Sequence, residues 1–101
     1  MVPKLQVSVR FFTKLREIVG KKEEKLEFLQ GEQVTLDVIL KKLRQRYGKR
    51  FVDYVYDPKT GEVRGFLQFL INGKSAITLN GLQTILDEGD VLAILPPIGG
   101  G

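Results

Sequence analysis

Thr35-Leu36-Asp37-Val38-Ile39-Leu40-Lys41-Lys42-Leu43-Arg44-Gln45-Arg46-Tyr47-Gly48 is the one long stretch of the chain whose apolar residues follow a helical period. Leu36, Ile39, Leu40, Leu43 and Tyr47 share one side of such a helix, and the other side is charged. Thr35 stands where a side-chain oxygen caps the first turn, and Gly48 where a left-handed residue ends the last. A single amphipathic helix needs a sheet to cover, and the flanking sequence supplies one.

Upstream, Leu5, Val7, Val9 and Phe11 alternate with Gln6, Ser8, Arg10 and Phe12, the period of a strand with one buried face, roughly residues 4 to 12. Thr13 is placed to cap a short helical turn through Leu15 and Ile18 that Gly20 ends, after which Lys21-Lys22-Glu23-Glu24 reads as a solvated turn. Leu26 and Phe28 alternate with Lys25 and Glu27, giving a second strand and a first hairpin. Downstream, Asp57-Pro58-Lys59-Thr60-Gly61 reverses the chain between Tyr54-Val55-Tyr56 and a third strand carrying Leu67, Phe69 and Ile71. Asn72-Gly73 suits a tight hairpin turn whose two central residues both take positive φ. Leu82, Ile85 and Leu86 suggest a short helical turn, and Asp87-Glu88-Gly89-Asp90 a further turn. Val91-Leu92-Ala93-Ile94-Leu95 is a last apolar strand that Pro96 and Pro97 stop. Hairpin, crossing helix, strand, short helix and last strand is the order of an α+β, ubiquitin-like β-grasp, a mixed sheet crossed by one main helix. The domain then takes residues 1–95, and 96–101 form a flexible tail.

At 101 residues, with 43% hydrophobic and 28% charged, the chain suits one self-folding domain with no room for a catalytic lobe. No apolar run approaches the roughly 20 residues a membrane helix needs. Met1-Val2-Pro3-Lys4 leads directly into strand-like sequence, without the charged start and apolar stretch of a signal peptide, so a cytoplasmic protein without membrane contact is expected. Cysteine and histidine are both absent, which excludes disulfides, thiol nucleophiles, imidazole bases and the usual zinc sites. Glycine-rich phosphate loops, a Walker lysine and a nucleophile elbow are missing as well. Glu23-Glu24 and Asp87-Glu88 are adjacent acids, read as solvated turn charges with nothing apolar beside them to move a pKa. The net charge is +4, and Lys41, Lys42, Arg44, Arg46, Lys49 and Arg50 are six basic residues without an acid in ten positions, on the helix face opposite Leu36 and Leu40. No aromatic stacking platform accompanies them, so a solvated face is expected and nucleic acid is not an expected partner.

Chemistry is left to Pro96-Pro97-Ile98-Gly99-Gly100-Gly101. Two prolines stiffen the exit from the last strand, and three glycines follow that gain nothing by packing. At ~3.3–3.6 Å per extended residue the segment reaches about 20 Å past the sheet, far enough to enter a pocket of another protein. A terminal glycine carboxylate fits a channel that excludes any Cβ. It is a poor acyl donor at neutral pH and needs activation, for example as an acyl-adenylate made from ATP, before a sulfur donor or an amine attacks.

In this order, Val9-Arg10-Phe11-Phe12-Thr13-Lys14-Leu15-Arg16-Glu17, Phe69-Leu70-Ile71-Asn72-Gly73, Asp87-Glu88-Gly89-Asp90 and the closing Pro96-Pro97-Ile98-Gly99-Gly100-Gly101 resemble the MoaD branch of the MoaD/ThiS family, from about residue 5 onward. These are ubiquitin-like sulfur carriers, and the branch includes the small subunit of molybdopterin synthase. The resemblance implies that Gly101 is the catalytic position, adenylated and then converted to a thiocarboxylate, with Gly100 as the second family glycine and Gly99 on the variable position before them. It implies no permanently bound cofactor and no metal. ATP and magnesium serve a MoeB-like adenylating enzyme, a sulfur donor supplies the sulfur, and a MoaE-like large synthase subunit accepts the tail to build the dithiolene of molybdopterin. The chain would thus be the sulfur-carrying subunit of a sulfurtransferase, not catalytic alone.

The family's partner-binding surface is the exposed sheet face near the tail. If Val9 and Phe11 are core, alternation turns Phe12 outward; if Leu92 and Ile94 are core, it turns Leu95 outward. Phe12, Leu95 and Arg16, which matches a family position near that interface, join Pro96, Pro97, Ile98 and Gly99 as the implied partner-binding set. Relatives using the same mechanism serve other sulfur-transfer routes or become attached to lysines as protein modifiers. A non-catalytic β-grasp binding module, taking RNA on the basic helix, is the alternative from a different class. Tyr54 to Val63 is longer than in the shortest family members, and the chain is more basic than a partner with positive pockets would lead one to expect.

Overall fold

In the computed structural model, which describes residues 4–29 and 31–96, the alternation of the first strand is realised as β1 (Lys4–Phe11), with Val7, Val9 and Phe11 fully buried. The chain turns through α1 (Thr13–Val19) into β2 (Glu23–Leu29), antiparallel to β1 from Lys4↔Leu29 to Arg10↔Glu23. The expected hairpin is present, with a helical segment as its connection. Gly20, at φ 78, ends α1 with its N–H on the Arg16 carbonyl at 2.8 Å. Thr13 does not cap this helix. Phe12 is the cap residue, and Thr13 is the first helical residue at φ 46, an unfavourable setting for a β-branched side chain.

α2 (Leu36–Tyr47) starts as expected, with Thr35 Oγ1 accepting the Val38 N–H at 3.2 Å. Gly48 ends it at φ 74 but ψ −149, outside the left-handed helical well, and the chain passes directly into α3 (Lys49–Val55). The sequence pattern does not suggest this third helix. Lys49 and Arg50 belong to it, so the basic run is split between two helices rather than forming one face. Edge-to-face contact of Phe11 with Tyr47 (6.2 Å) and tilted contact of Tyr47 with Phe51 (6.4 Å) tie β1, α2 and α3 together.

The turn after α3 closes through the Gly61 N–H on the Asp57 carbonyl at 2.7 Å, and Tyr56 bridges Val63. β3 (Gln68–Ile71) and β4 (Lys74–Ser75) form the expected tight hairpin, with Asn72 at φ 52 and Gly73 at φ 84. In place of one short helical turn there are two 3-10 turns, Ala76–Thr78 and Gly81–Gln83, and Ile85 follows them in a bridge to Thr35. β5 (Val91–Leu95) lies mid-sheet in the order β2-β1-β5-β3-β4, parallel to β1 and antiparallel to β3. This mixed sheet crossed by α2 is an α+β, ubiquitin-like β-grasp. Leu15, Leu40, Leu43 and Phe51 from the helices pack with Val9, Leu26, Leu92 and Ile94 from the sheet in one core. The other sheet face carries Ser8, Arg10, Gln68, Leu70, Ala93 and Leu95, none of them buried. No helix among the described residues is long and apolar enough to cross a membrane.

Candidate functional site

The root of the tail lies at the end of the central strand, which is held on both sides. β5 pairs with β1 from Val91↔Ser8 to Ile94↔Phe11 and with β3 from Leu92↔Ile71 to Leu95↔Gln68. Its start is fixed by the Asp87–Asp90 turn. Gly89 N–H donates to the Gln6 carbonyl at 2.8 Å, Gln6 N–H donates to Glu88 Oε1 at 2.7 Å, and Ser8 N–H donates to the Asp90 carbonyl at 3.0 Å. Asn72 couples the β3 hairpin to the same turn, its Nδ2 donating to Asp90 Oδ1 at 2.9 Å and its Oδ1 accepting the Val91 N–H at 3.0 Å. The chain therefore leaves from an anchored point at Pro96, which is half-buried; Pro97, Ile98, Gly99, Gly100 and Gly101 lie outside the described residues.

Phe12 is extended (φ −131, ψ 151), so continuing the β1 register one residue past Phe11↔Ile94 brings it level with Leu95 on the outer face. Both are half-buried. The Phe12 ring is clad by two cations, with the Arg10 and Arg16 guanidiniums 6.0 and 5.8 Å from its centroid. Arg16 also donates from Nε to the Phe11 carbonyl at 3.3 Å, which fastens the β1–α1 junction. The structure thus brings Phe12, Arg16, Leu95 and Pro96 to one end of the sheet.

It adds residues that the sequence reading missed. Leu70 and Ala93 share a rung, and Ala93 also faces Arg10 across β1. Strand parity, with Leu70 between the inward Phe69 and Ile71, carries that signal. Phe66, just before β3 at the same end, is 47% exposed with the Arg64 guanidinium 5.9 Å from its centroid. Nothing in the sequence separates it from a core aromatic.

Glu24 corrects the sequence reading. It lies in β2 in phase with Leu26 and Phe28, and is only 7% exposed. Lys21 Nζ (3.0 Å), the Tyr47 hydroxyl (3.0 Å) and the Arg46 guanidinium all donate to its carboxylate. Burial pushes its pKa up, but the three donors outweigh burial and hold the carboxyl below its ordinary value. Burial and the bond to Glu24 push Tyr47 up to about 12. The group staples the end of α2 to the outer strand, on the sheet face opposite the tail-root patch.

The basic run is largely committed within the chain. Lys41 pairs with Asp37 (3.0 Å), Lys49 with Asp53 (2.6 Å) and Arg46 with Glu24, Lys42 donates to the Glu27 carbonyl (2.7 Å), and Arg44 stacks over Tyr56 (5.1 Å). Among the described residues no three His, Cys, Asp or Glu come together as a metal cage.

The sequence profile of the ThiS family matches residues 9–101. Small archaeal modifier protein 3 of Haloferax volcanii is 31% identical over 97 residues, covering 96% of this chain and 100% of that protein. The human molybdopterin synthase sulfur carrier subunit is 29% identical over 101 residues, covering 100% of both. Among solved structures, small archaeal modifier protein 1 of Methanosarcina acetivorans superposes with a TM-score of 0.74 at 33% identity, covering 98% of this chain and 99% of that one. With a β-grasp whose central strand launches the tail, and a family match running from β1 through that tail, the chain belongs to the ThiS family of ubiquitin-like sulfur carriers.

Proposed function

We propose that this chain supplies sulfur for molybdopterin from a thiocarboxylate on Gly101, as the small subunit of the synthase. The observation that carries this reading is the family match reaching Gly101, supported by likeness to the human subunit along the whole chain. The Gly101 carboxylate attacks the α-phosphate of ATP in the adenylating enzyme and pyrophosphate leaves; a sulfur nucleophile then displaces AMP from the acyl carbon. ATP and magnesium belong to that enzyme, a reaction suited to the cytoplasm. The large synthase subunit takes the loaded tail, with Gly100 and Gly99 passing a channel too narrow for a Cβ. Phe12, Leu95 and Arg16 dock the domain beside Pro96, Pro97 and Ile98. Guanidiniums stacked on Phe12 and Phe66 give this end a cationic rim suited to an acidic partner surface.

A second reading, attachment to lysines as a protein modifier, is favoured by the 31% identity to small archaeal modifier protein 3. It uses the same activated Gly101, with a lysine amine in place of sulfur.

Intact mass tests both. The protein is incubated with ATP, magnesium, extract of its source cells and a sulfide donor, then treated with a thiol-alkylating reagent. The chain has no cysteine, so an alkyl adduct reports sulfur at the C-terminus. Adduct at Gly101 is expected, reduced at least ~100-fold in Gly101→Ala because the methyl group displaces the reacting carbon. Lysine-linked products without the adduct would favour the modifier, and neither product would overturn both readings.

A further inference from the structure

β2 is an outer strand, so one row of its backbone groups has no strand beside it. The Phe11 N–H bond to the Lys22 carbonyl, 2.9 Å, extends the β1–β2 register by one pair. Hydrogen-bonded and open pairs alternate in an antiparallel ladder. Glu24, Leu26 and Phe28 therefore turn their backbone groups to β1, whereas Lys25, Glu27 and Leu29 turn theirs outward. Two bonds agree with this assignment: Lys42 Nζ donates to the Glu27 carbonyl at 2.7 Å, and Glu32 N–H to the Leu29 carbonyl at 3.1 Å. Neither donor comes from a strand.

Beside this edge runs a groove of about 380 Å³ between β2 and one stripe of α2, walled by Lys25, Phe28, Leu29, Lys42 and Arg46. Val38 and Gln45, on the same stripe, continue it along the helix. Beside β2 the lining is mostly polar; the apolar part is the continuation along the helix, over Phe28 and Val38, where the Phe28 ring lies 4.4 Å under Lys42 Nζ. The rim is cationic. Lys4, Lys25, Lys42 and Arg46 stand there against Glu27 and Glu32; Lys4 is taken by Glu27 (3.7 Å) and Arg46 by Glu24, which leaves Lys25 and Lys42 without a carboxylate among the described residues.

We propose that this edge binds an extended peptide segment of a partner protein as an added strand beside β2, with apolar side chains entering the groove and acidic ones flanking them. Apart from the Glu27 and Leu29 carbonyls already bonded, the outward N–H and carbonyl groups of Lys25, Glu27 and Leu29 select a peptide chain, the Phe28 and Val38 stretch selects apolar residues within it, and the lysines without a carboxylate select acidic ends. The incoming strand replaces Lys42 as donor to the Glu27 carbonyl, releasing that ammonium to a carboxylate of the peptide. Lys25–Leu29 lie opposite Lys4–Ser8, whereas the tail leaves beside Phe11, so the two ends of the sheet can be occupied together. The inference goes beyond the sulfur-carrier reading and does not depend on Gly101.

The test is a titration of the full chain, followed by backbone amide NMR, with a synthetic peptide of alternating valine and isoleucine flanked by aspartate and glutamate. A polyglutamate of equal length is the control. Saturable shifts at Lys25, Glu27 and Leu29 are expected, with amide hydrogen exchange of Lys25 and Glu27 slowed at least about tenfold. Lys25→Glu combined with Lys42→Glu is expected to weaken binding at least about tenfold, and the exposed single variant Lys25→Ala to weaken it measurably without touching Lys42. Gly101→Ala binds as the parent does. Polyglutamate binding as tightly as the peptide, shifts confined to Leu70 and Leu95, or unchanged exchange at the edge amides would each overturn the proposal.

Discussion

Glu24 is buried because strand alternation, rather than charge, decides which way a side chain points: it shares the phase of Leu26 and Phe28. That phase was legible, yet the surrounding Lys21-Lys22-Glu23-Glu24 run reads as a solvated turn. Only the arrival of Arg46 and Tyr47 from α2 makes burial affordable, and no local pattern announces contacts of such sequence separation. The pH consequence follows from the directions of shift. A carboxyl held below its ordinary 4.5 contributes stability above that pH and loses it as pH falls through the folded value. Tyr47, raised from 10.0 to about 12, contributes below pH 10 and loses its contribution as pH rises toward 12. Glu24→Gln leaves buried donors poorly matched, so it should cost about 1–3 kcal/mol at neutral pH. The difference from the parent should shrink below pH 4.5. Urea unfolding across pH reads both, and a parental midpoint or an undiminished gap in acid would refute the staple.

At the scale of elements, the long periodic segments were legible and the short one was not. β1, α2 and β5 each repeat an apolar pattern over several turns or pleats, and Asn72-Gly73 has one conformation that suits it. α3 offers a single apolar turn, Phe51 to Val55, directly behind a glycine that reads as a stop. Gly48 redirects the chain within one residue, since φ 74 with ψ −149 is a region open almost only to glycine. A Cβ there would meet nothing within 4 Å, so any cost of Gly48→Ala is backbone strain rather than a clash. That cost should be about 1–3 kcal/mol, lowering Tm by roughly 4–8 °C per kcal/mol for a domain of this size. Gly65→Ala, equally open and without positive φ, is the control and should stay within about 0.5 kcal/mol. Equal melting of the two variants would mean that the Gly48 corner carries no strain.

Across the whole molecule, the last strand lies in the middle of the sheet instead of at its edge, so the tail starts from a point that both neighbours hold to Ile94 and Leu95. The expected tail falls on residues 97–101, outside the described residues, whereas the parity of Phe12 and Leu95 was readable from the sequence. The arginine cladding of Phe12 was not, because Arg16 reaches it only when α1 folds back at Thr13. On the proposed function, docking on the outer face and chemistry at Gly101 are separable by mutation. Leu95→Glu changes a half-buried outer side chain while Leu92 and Ile94 keep the strand in the core, so the fold should survive. It should raise the KM for thiocarboxylate formation by the adenylating enzyme about tenfold, or about 1.4 kcal/mol, and leave kcat near the parental value, since it removes binding common to ground and transition states. Phe12→Glu should act the same way, whereas Gly101→Ala should lower kcat. Steady-state charging, followed by the mass of the alkylated product, separates the two patterns. A Leu95→Glu chain that folds and is charged with an unchanged KM would remove the outer face from the docking surface and leave the tail as the sole point of recognition.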